Sequence, residues 1–313
     1  MTTINVGVLL GTPLPNSPIV GSDFGFFASQ HLKVNPVVLA TSAAAETALA
    51  ANQIQFVSQP PDAVVEANTQ GAGLVMASGM SVRFASQLLC QPGSVTPGAY
   101  PGVMKQLVGK SIGITVPGPA SVTDENISVS LHDADVSLSK VNIVPLGSLP
   151  SMQAAFEAKS VDCIVSYPPL DEELQGQSTL LLDWAAGQGP KKLANELSTG
   201  FATNQSFAKS NPQAVVGFAR AMQKTLQFEA NPKNATAIAT KVQPFLDPTA
   251  PVSLLASVYK ELAPTWSFTV SPLQLFNTAG AIKDYTGSRP SLTLKSLFAS
   301  PVQKYVSPPP KKK

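Results

Sequence analysis

The sequence is poor in ionisable side chains, in histidine and in cysteine, and each shortage removes a class of function. Charged residues are 13% of the 313, and 21 lysines and arginines nearly balance 19 aspartates and glutamates, for a net charge of +2. Charges so sparse and scattered build no field able to hold a phosphate backbone, which excludes nucleic acid as a partner. The one run of like charge, Lys311-Lys312-Lys313 after Pro308-Pro309-Pro310, reads as a solvated tail, and residues 307–313 are left out of the fold. Only His31 and His132 are present, neither beside a plausible nucleophile, and His132 with Asp133 and Asp135 forms a polar turn whose neighbouring residues do not converge on a metal. No catalytic residue, metal or cofactor is therefore assigned. Cys90 and Cys163, each inside an apolar run, are expected to be buried structural thiols rather than a disulfide or a reactive pair. No apolar run approaches the roughly 18–20 residues of a membrane span. Met1-Thr2-Thr3 leads directly into an apolar strand, so an export signal has either been removed or was never carried.

What remains is a chain that is 44% hydrophobic and long enough for two lobes, each with its own core. The first half alternates short β-type runs with Gly, Pro or Ser turns and helical segments, the pattern of βαβ units in a mostly parallel sheet. Strands are predicted at 4–10, 34–39, 54–58 and 74–78, and helices at 22–30, 41–51 and 62–69. The same organisation then begins again, with strands at 110–115, 141–145 and 161–165 and helices at 121–131 and 151–158. Ile54-Gln55-Phe56-Val57-Ser58-Gln59-Pro60-Pro61 has its counterpart in Val161-Asp162-Cys163-Ile164-Val165-Ser166-Tyr167-Pro168-Pro169. In both, a buried strand delivers a serine to its carboxyl end just as prolines stop the chain. Beyond Ser210 the pattern is helical: Asn211-Pro212 opens an amphipathic stretch through Val215, Phe218, Met222 and Leu226, followed by helices at 251–262 and 272–285.

Several segments resemble a known family. Asp23-Phe24-Gly25-Phe26-Phe27, Leu32-Lys33-Val34 and the small-residue helix running into Asn52-Gln53-Ile54-Gln55-Phe56 resemble the opening of ABC-transporter substrate-binding proteins of the nitrate, sulfonate, taurine and thiamine-precursor group. Leu107-Val108-Gly109-Lys110-Ser111-Ile112-Gly113 is similar to the family's entry into its second lobe, and Ala155 to Pro169 and Ser210-Asn211-Pro212 are similar to later motifs. Together these cover roughly residues 1–235. Asn52-Gln53 and Lys159-Ser160 stand where the family has a Gly-Gln turn, and the loop from Gly11 to Ser22 is longer and richer in proline.

The resemblance implies a two-lobed α/β protein of the type II periplasmic-binding fold. Residues 1–87 with 198–306 would form lobe one and 88–197 lobe two, closing about strands near 83–91 and 197–206. It implies a monomer outside the cytoplasm that delivers a small solute, anionic or polar-aromatic, to a permease and its ATPase subunit. Ligands of open α/β sheets meet the carboxyl ends of strands and the helix N-termini that follow. The candidate contacts are Thr12, Ser17, Thr41, Ser42, Ser58, Gln59 and Ser78 in lobe one, and Thr115, Gly118, Ser121, Ser166 and Tyr167 in lobe two, with Arg83 as a possible partner for an anion. Each has a plainer role: helix capping for Thr41, Ser42 and Ser121, local backbone satisfaction for Ser58 and Ser166, packing for Tyr167 and a hinge or surface position for Arg83. Two other classes stay open, a ligand-sensing module and an enzyme on the same scaffold. Desulfinases of this fold place a reactive cysteine in the cleft, and pyrimidine synthases use a Cys- and His-rich segment that this chain lacks.

Overall fold

The computed structural model describes residues 1–8, 14–39, 42–118 and 121–308. The chain divides into two compact units, one of Met1–Val82, Leu197–Phe276 and Ser291–Lys313, the other of Arg83–Glu196 and Asn277–Pro290. The described strands are β1 (Thr2–Val8), β2 (Leu32–Val38), β3 (Val57–Gln59), β4 (Leu74–Ser81), β5 (Gln87–Cys90), β6 (Ser111–Ile114), β7 (Asn142–Pro145), β8 (Cys163–Ser166), β9 (Thr179–Asp183) and β10 (Thr199–Asn204). The helices used below are α1 (Ser17–Asp23), α2 (Ser42–Ala50), α3 (Pro61–Thr69), α4 (Val122–Asp133), α5 (Leu149–Glu157), α6 (Leu170–Glu173), α7 (Gln205–Ser210), α8 (Pro212–Glu229), α9 (Ala235–Leu246), α10 (Val252–Leu262) and α11 (Pro272–Thr286).

In the first unit β1 and β2 run parallel in register from Thr2↔Leu32 to Val8↔Val38. A parallel bridge between Val6 and Phe56 joins them to the approach of β3, and β10 lies antiparallel between β3 and β4. The order is therefore β2-β1-β3-β10-β4. The second unit has β7-β6-β8-β5-β9, with β6 parallel to β7 and β8 and with β5 antiparallel to β8 and β9. Each sheet thus places its single reversed strand fourth. In both, that strand falls outside the run of βα units: β5 precedes the second unit's series and β10 follows it. Gly200 on β10 has no room for a side chain, because a Cβ would collide with the Ser78 carbonyl oxygen and with Met76 Cε.

The cores follow the apolar periodicity. Val215, Phe218, Met222 and Leu226 form a fully buried stripe on α8, and Phe218 stacks on Phe56 at 3.8 Å between ring centroids. In the second unit Leu88, Ile112, Ile114, Ile127, Val129 and Trp184 share one cluster. Among the described residues no helix is long and apolar enough to cross a membrane.

Three expectations change, and one strand appears where none was expected. The helix predicted at 22–30 starts earlier and stops sooner: Ser17–Asp23 is helical, Pro18 sits in its first turn, and Gly25 takes a left-handed φ of 76° that ends it. β9 is a strand that the sequence pattern does not announce. Asn277–Pro290, predicted in the first lobe, belongs to the second unit, where Asn277 donates to the Asn195 carbonyl, Lys192 pairs with Asp284 and Tyr285 bonds to Asp124. Finally, Cys90 and Cys163, predicted as thiols, are joined as a disulfide. They are direct partners across β5 and β8, with Cα atoms 3.9 Å apart, and strand pairing alone brings them together over 73 residues of sequence.

Candidate functional site

The carboxyl edge of the first unit's sheet is built around β10. Phe201 has Ser58 of β3 opposite it on one side and Ser78 of β4 on the other, and the next row is Gln59, Gly200 and Gly79. Ser58 is half-buried, while Ser78 and Gln59 are buried. Neither the Ser78 hydroxyl nor Gln59 Nε2 has a hydrogen-bond partner. Buried polar groups left unpaired cost free energy, so such groups in a native fold call for an explanation. Ser42 opens α2, whereas Thr12 and Thr41 lie outside the described residues. Ser17, predicted to meet ligand, is fully buried at the start of α1, and its hydroxyl donates to Glu229 Oε1 at 3.2 Å.

In the second unit the candidates fall into two groups. Thr115, Gly118 and Ser121 come together at the start of α4, where they are occupied with one another and with two residues the sequence reasoning missed. Thr123 Oγ1 lies 2.9 Å from Thr115 Oγ1 and 3.2 Å from Ser121 Oγ. Asp124, which is buried, accepts from the Gly118 amide at 2.8 Å, from Ser128 Oγ at 3.0 Å and from Tyr285 Oη at 3.2 Å. Ser121 caps the helix by accepting from the Asp124 amide. Gly118 supplies a φ of 97°, which a side chain would strain. The Ser-x-x-Asp spacing of a capped helix start was the signal that could have singled out Asp124. With this carboxylate already held at the turn, an anionic ligand group there would meet like charge.

The other group ends β8. Ser166, opposite Gln87 of β5, is fully buried and its hydroxyl has no partner. Tyr167 packs edge-on against Phe84 at 5.8 Å, and burial pushes its phenol up to about 12. Ser58 and Ser166 thus sit opposite the reversed strand of their own sheets, in the third-position strands β3 and β8. Arg83 donates from Nε to the Ala185 carbonyl at 2.9 Å and from Nη1 to the Ala194 carbonyl at 3.2 Å, which fastens backbone to backbone.

A recess of about 590 Å³ beside α8 is lined by Ser29, Gln30, His31, Gln213, Val216 and Arg220. It lies at the amino end of β2 and contains none of the candidates. Among the described residues no three His, Cys, Asp or Glu side chains converge as a metal site would require.

Two sheets of one repeated order, each with a reversed fourth strand, are the architecture of the periplasmic-binding-protein fold. Solved structures agree. The alkanesulfonate-binding protein SsuA from Xanthomonas axonopodis pv. citri, bound to MOPS, superposes with a TM-score of 0.72 over 96% of this chain and 97% of its own at 14% identity. The periplasmic nitrate-binding protein NrtA from Synechocystis PCC 6803 gives 0.65 over 83% and 70% at 14%. The desulfurization enzyme DSZB gives 0.66 over 98% and 99% at 12%. No curated protein sequence matches the chain significantly. The family profile described as NMT1/THI5 like matches residues 17–235, and the chain belongs to that family.

Proposed function

We propose that this protein is the solute-binding component of an ABC-type importer, capturing a small organic molecule by closure of its two lobes and passing it unchanged to a permease and ATPase. The observation that carries this is the Ser166 hydroxyl: it ends the third-position strand of its sheet, is fully buried and bonds to nothing. Ser78 and Gln59 add the same kind of group in the first unit. Such groups stay costly until a ligand pairs them, which is how a solute stabilises the state that encloses it. Ser42, Ser58 and Tyr167, with Thr12 and Thr41 outside the described residues, complete the proposed contacts. Thr115, Gly118 and Ser121 would shape the second lobe's turn while Asp124 occupies it. SsuA, an alkanesulfonate-binding protein, and NrtA, a nitrate-binding protein, share the fold and support solute binding as its use here.

DSZB is an enzyme on the same fold, but here both cysteines are bound to each other in a core, so a desulfinase-like thiol nucleophile is missing. The disulfide also suits an oxidising compartment outside the cytoplasm.

A thermal-shift screen against sulfonates, aromatic acids, nitrate, pyrimidines and amines tests the reading, because a tight ligand raises the melting temperature by mass action. A hit is expected to bind without turnover, and Ser166→Ala and Ser42→Ala should each weaken it roughly tenfold, about 1.4 kcal/mol, while the free protein stays folded. Unchanged affinity in both variants, or chemical conversion of the hit, would overturn it.

A further inference from the structure

The apolar stripe of α8 continues, one turn past Leu226, into a carboxyl group. Glu229 is buried at the helix end, its Oε1 accepts from Ser17 and its Oε2 has no partner. Tyr259 on α10 is fully buried, and its hydroxyl is also without a partner. The two groups sense each other, since the negative charge of Glu229 adds to burial in holding the Tyr259 phenol well above its ordinary value. Around Tyr259 the packing is apolar: Val8 at the carboxyl end of β1, Ile19 and Val20 of α1, and Ile238 and Val242 of α9. Burial alone raises the Glu229 carboxyl, to about 8, and only the Ser17 bond opposes it. Of the charged groups on the packed elements, Asp23 of α1 is answered by Lys241 of α9, and neither acts on Glu229.

A hydrocarbon in either place would suit this core better, because each unpaired polar atom carries a desolvation penalty. Position adds a second argument. Val8 ends β1, Ser17 begins the next helix, and the carboxyl ends of strands are where open α/β sheets receive ligands. With no cation beside the carboxyl, an incoming N–H donor could satisfy both orphaned oxygens.

We infer that Glu229 and Tyr259 are ligand-recognition residues, and that the solute presents a protonated amine to Glu229 Oε2 and Tyr259 Oη rather than an oxyanion. This rests on the solute-capture function proposed above and narrows its ligand class. Binding would convert a neutral carboxyl and an ammonium into a carboxylate–ammonium pair, and the carboxyl proton would pass to solvent.

Matched probes test it: benzylamine, cyclohexylamine and putrescine against benzyl alcohol, cyclohexanol, butane-1,4-diol, benzoate and benzenesulfonate. They are measured by thermal shift and titration calorimetry on the full chain. At least one amine is expected to bind, its oxygen counterpart is not, and calorimetry in two buffers should show about one proton released per amine at neutral pH. Tyr259→Phe, which removes one oxygen and keeps the ring, should weaken amine binding at least tenfold while raising the melting temperature of the free protein. Glu229→Gln should abolish the proton release. A purely structural pair would give the opposite signs: lower stability and unchanged affinity. If an anion or alcohol binds and Glu229→Gln leaves its affinity unchanged, this inference falls and solute capture stands. If no probe binds while the wider screen finds a ligand without a basic nitrogen, it falls in the same way. If nothing binds in either set, both fall.

Discussion

At the scale of single residues, burial and pairing decide what each polar group does. Glu229 loses its proton near 8 when folded, against a carboxyl's ordinary 4.5. Between those values the unfolded chain holds fewer protons at this site than the folded one, so Glu229's contribution to stability is fully present below about 4.5 and is lost as pH rises toward 8. The slope is about 1.4 kcal/mol per pH unit for one such group. Urea denaturation from pH 5 to 8 should show this decline, and Glu229→Gln should flatten it; parallel curves for the two proteins would contradict the assignment. Asp124, by contrast, is a side chain whose buried oxygens are all met by donors. Asp124→Ala strands the Gly118 amide, Ser128 and Tyr285 together and is expected to cost about 3 kcal/mol, read as a lower denaturation midpoint at constant slope. Asp124→Asn should cost less, since its amide oxygen still accepts. Both residues were legible in part. Glu229 continues the α8 stripe seven residues after Met222, and Asp124 stands three after a capping serine. What periodicity cannot reveal is whether the buried oxygen meets a donor.

At the scale of elements, the reversed strands stand out. β5 and β10 each pair on both sides, with β8 and β9 in one sheet and with β3 and β4 in the other. Neither belongs to the βα alternation, so local pattern announces the parallel strands better than the sheet order. The disulfide sits on such a strand and tethers β5 to β8. Closing a loop of 73 residues restricts the unfolded chain by about 4 kcal/mol in the loop-entropy account. Replacing both cysteines by alanine should therefore lower stability by about 2–4 kcal/mol in guanidinium titrations, and the wild type in reductant should approach the double variant once its core opens. Equal stability of oxidised wild type and double variant would refute the tether's role. Counting two cysteines in apolar strands gave no hint of their pairing, because adjacency across a sheet is a property of strand order, and strand order is non-local.

At the scale of the whole molecule, two sheets of the same order arise from two unlike stretches of sequence. The internal correspondence of Ile54–Pro61 with Val161–Pro169 was visible beforehand because both strands need apolar residues, a terminal hydroxyl and a proline stop. The assignment of Asn277–Pro290 to the second unit was not visible, since α11 is one amphipathic helix whatever it packs against. Its destination is decided by Lys192 with Asp284, by Tyr285 with Asp124 and by Ala281 in the second core.

The sequence by itself determined the α/β class, the repeated strand–helix series and the family, because hydrophobic periodicity and short turn motifs are local and survive without coordinates. Only the tertiary structure decided that the cysteines are bonded, that Arg83 holds backbone carbonyls, that Asp124 fills the α4 turn, and that Ser78, Ser166, Glu229 and Tyr259 keep buried oxygens unpaired. The physical reason is common to all four: a polar group's role depends on which partners reach it in space, and those partners lie up to 212 residues away along the chain.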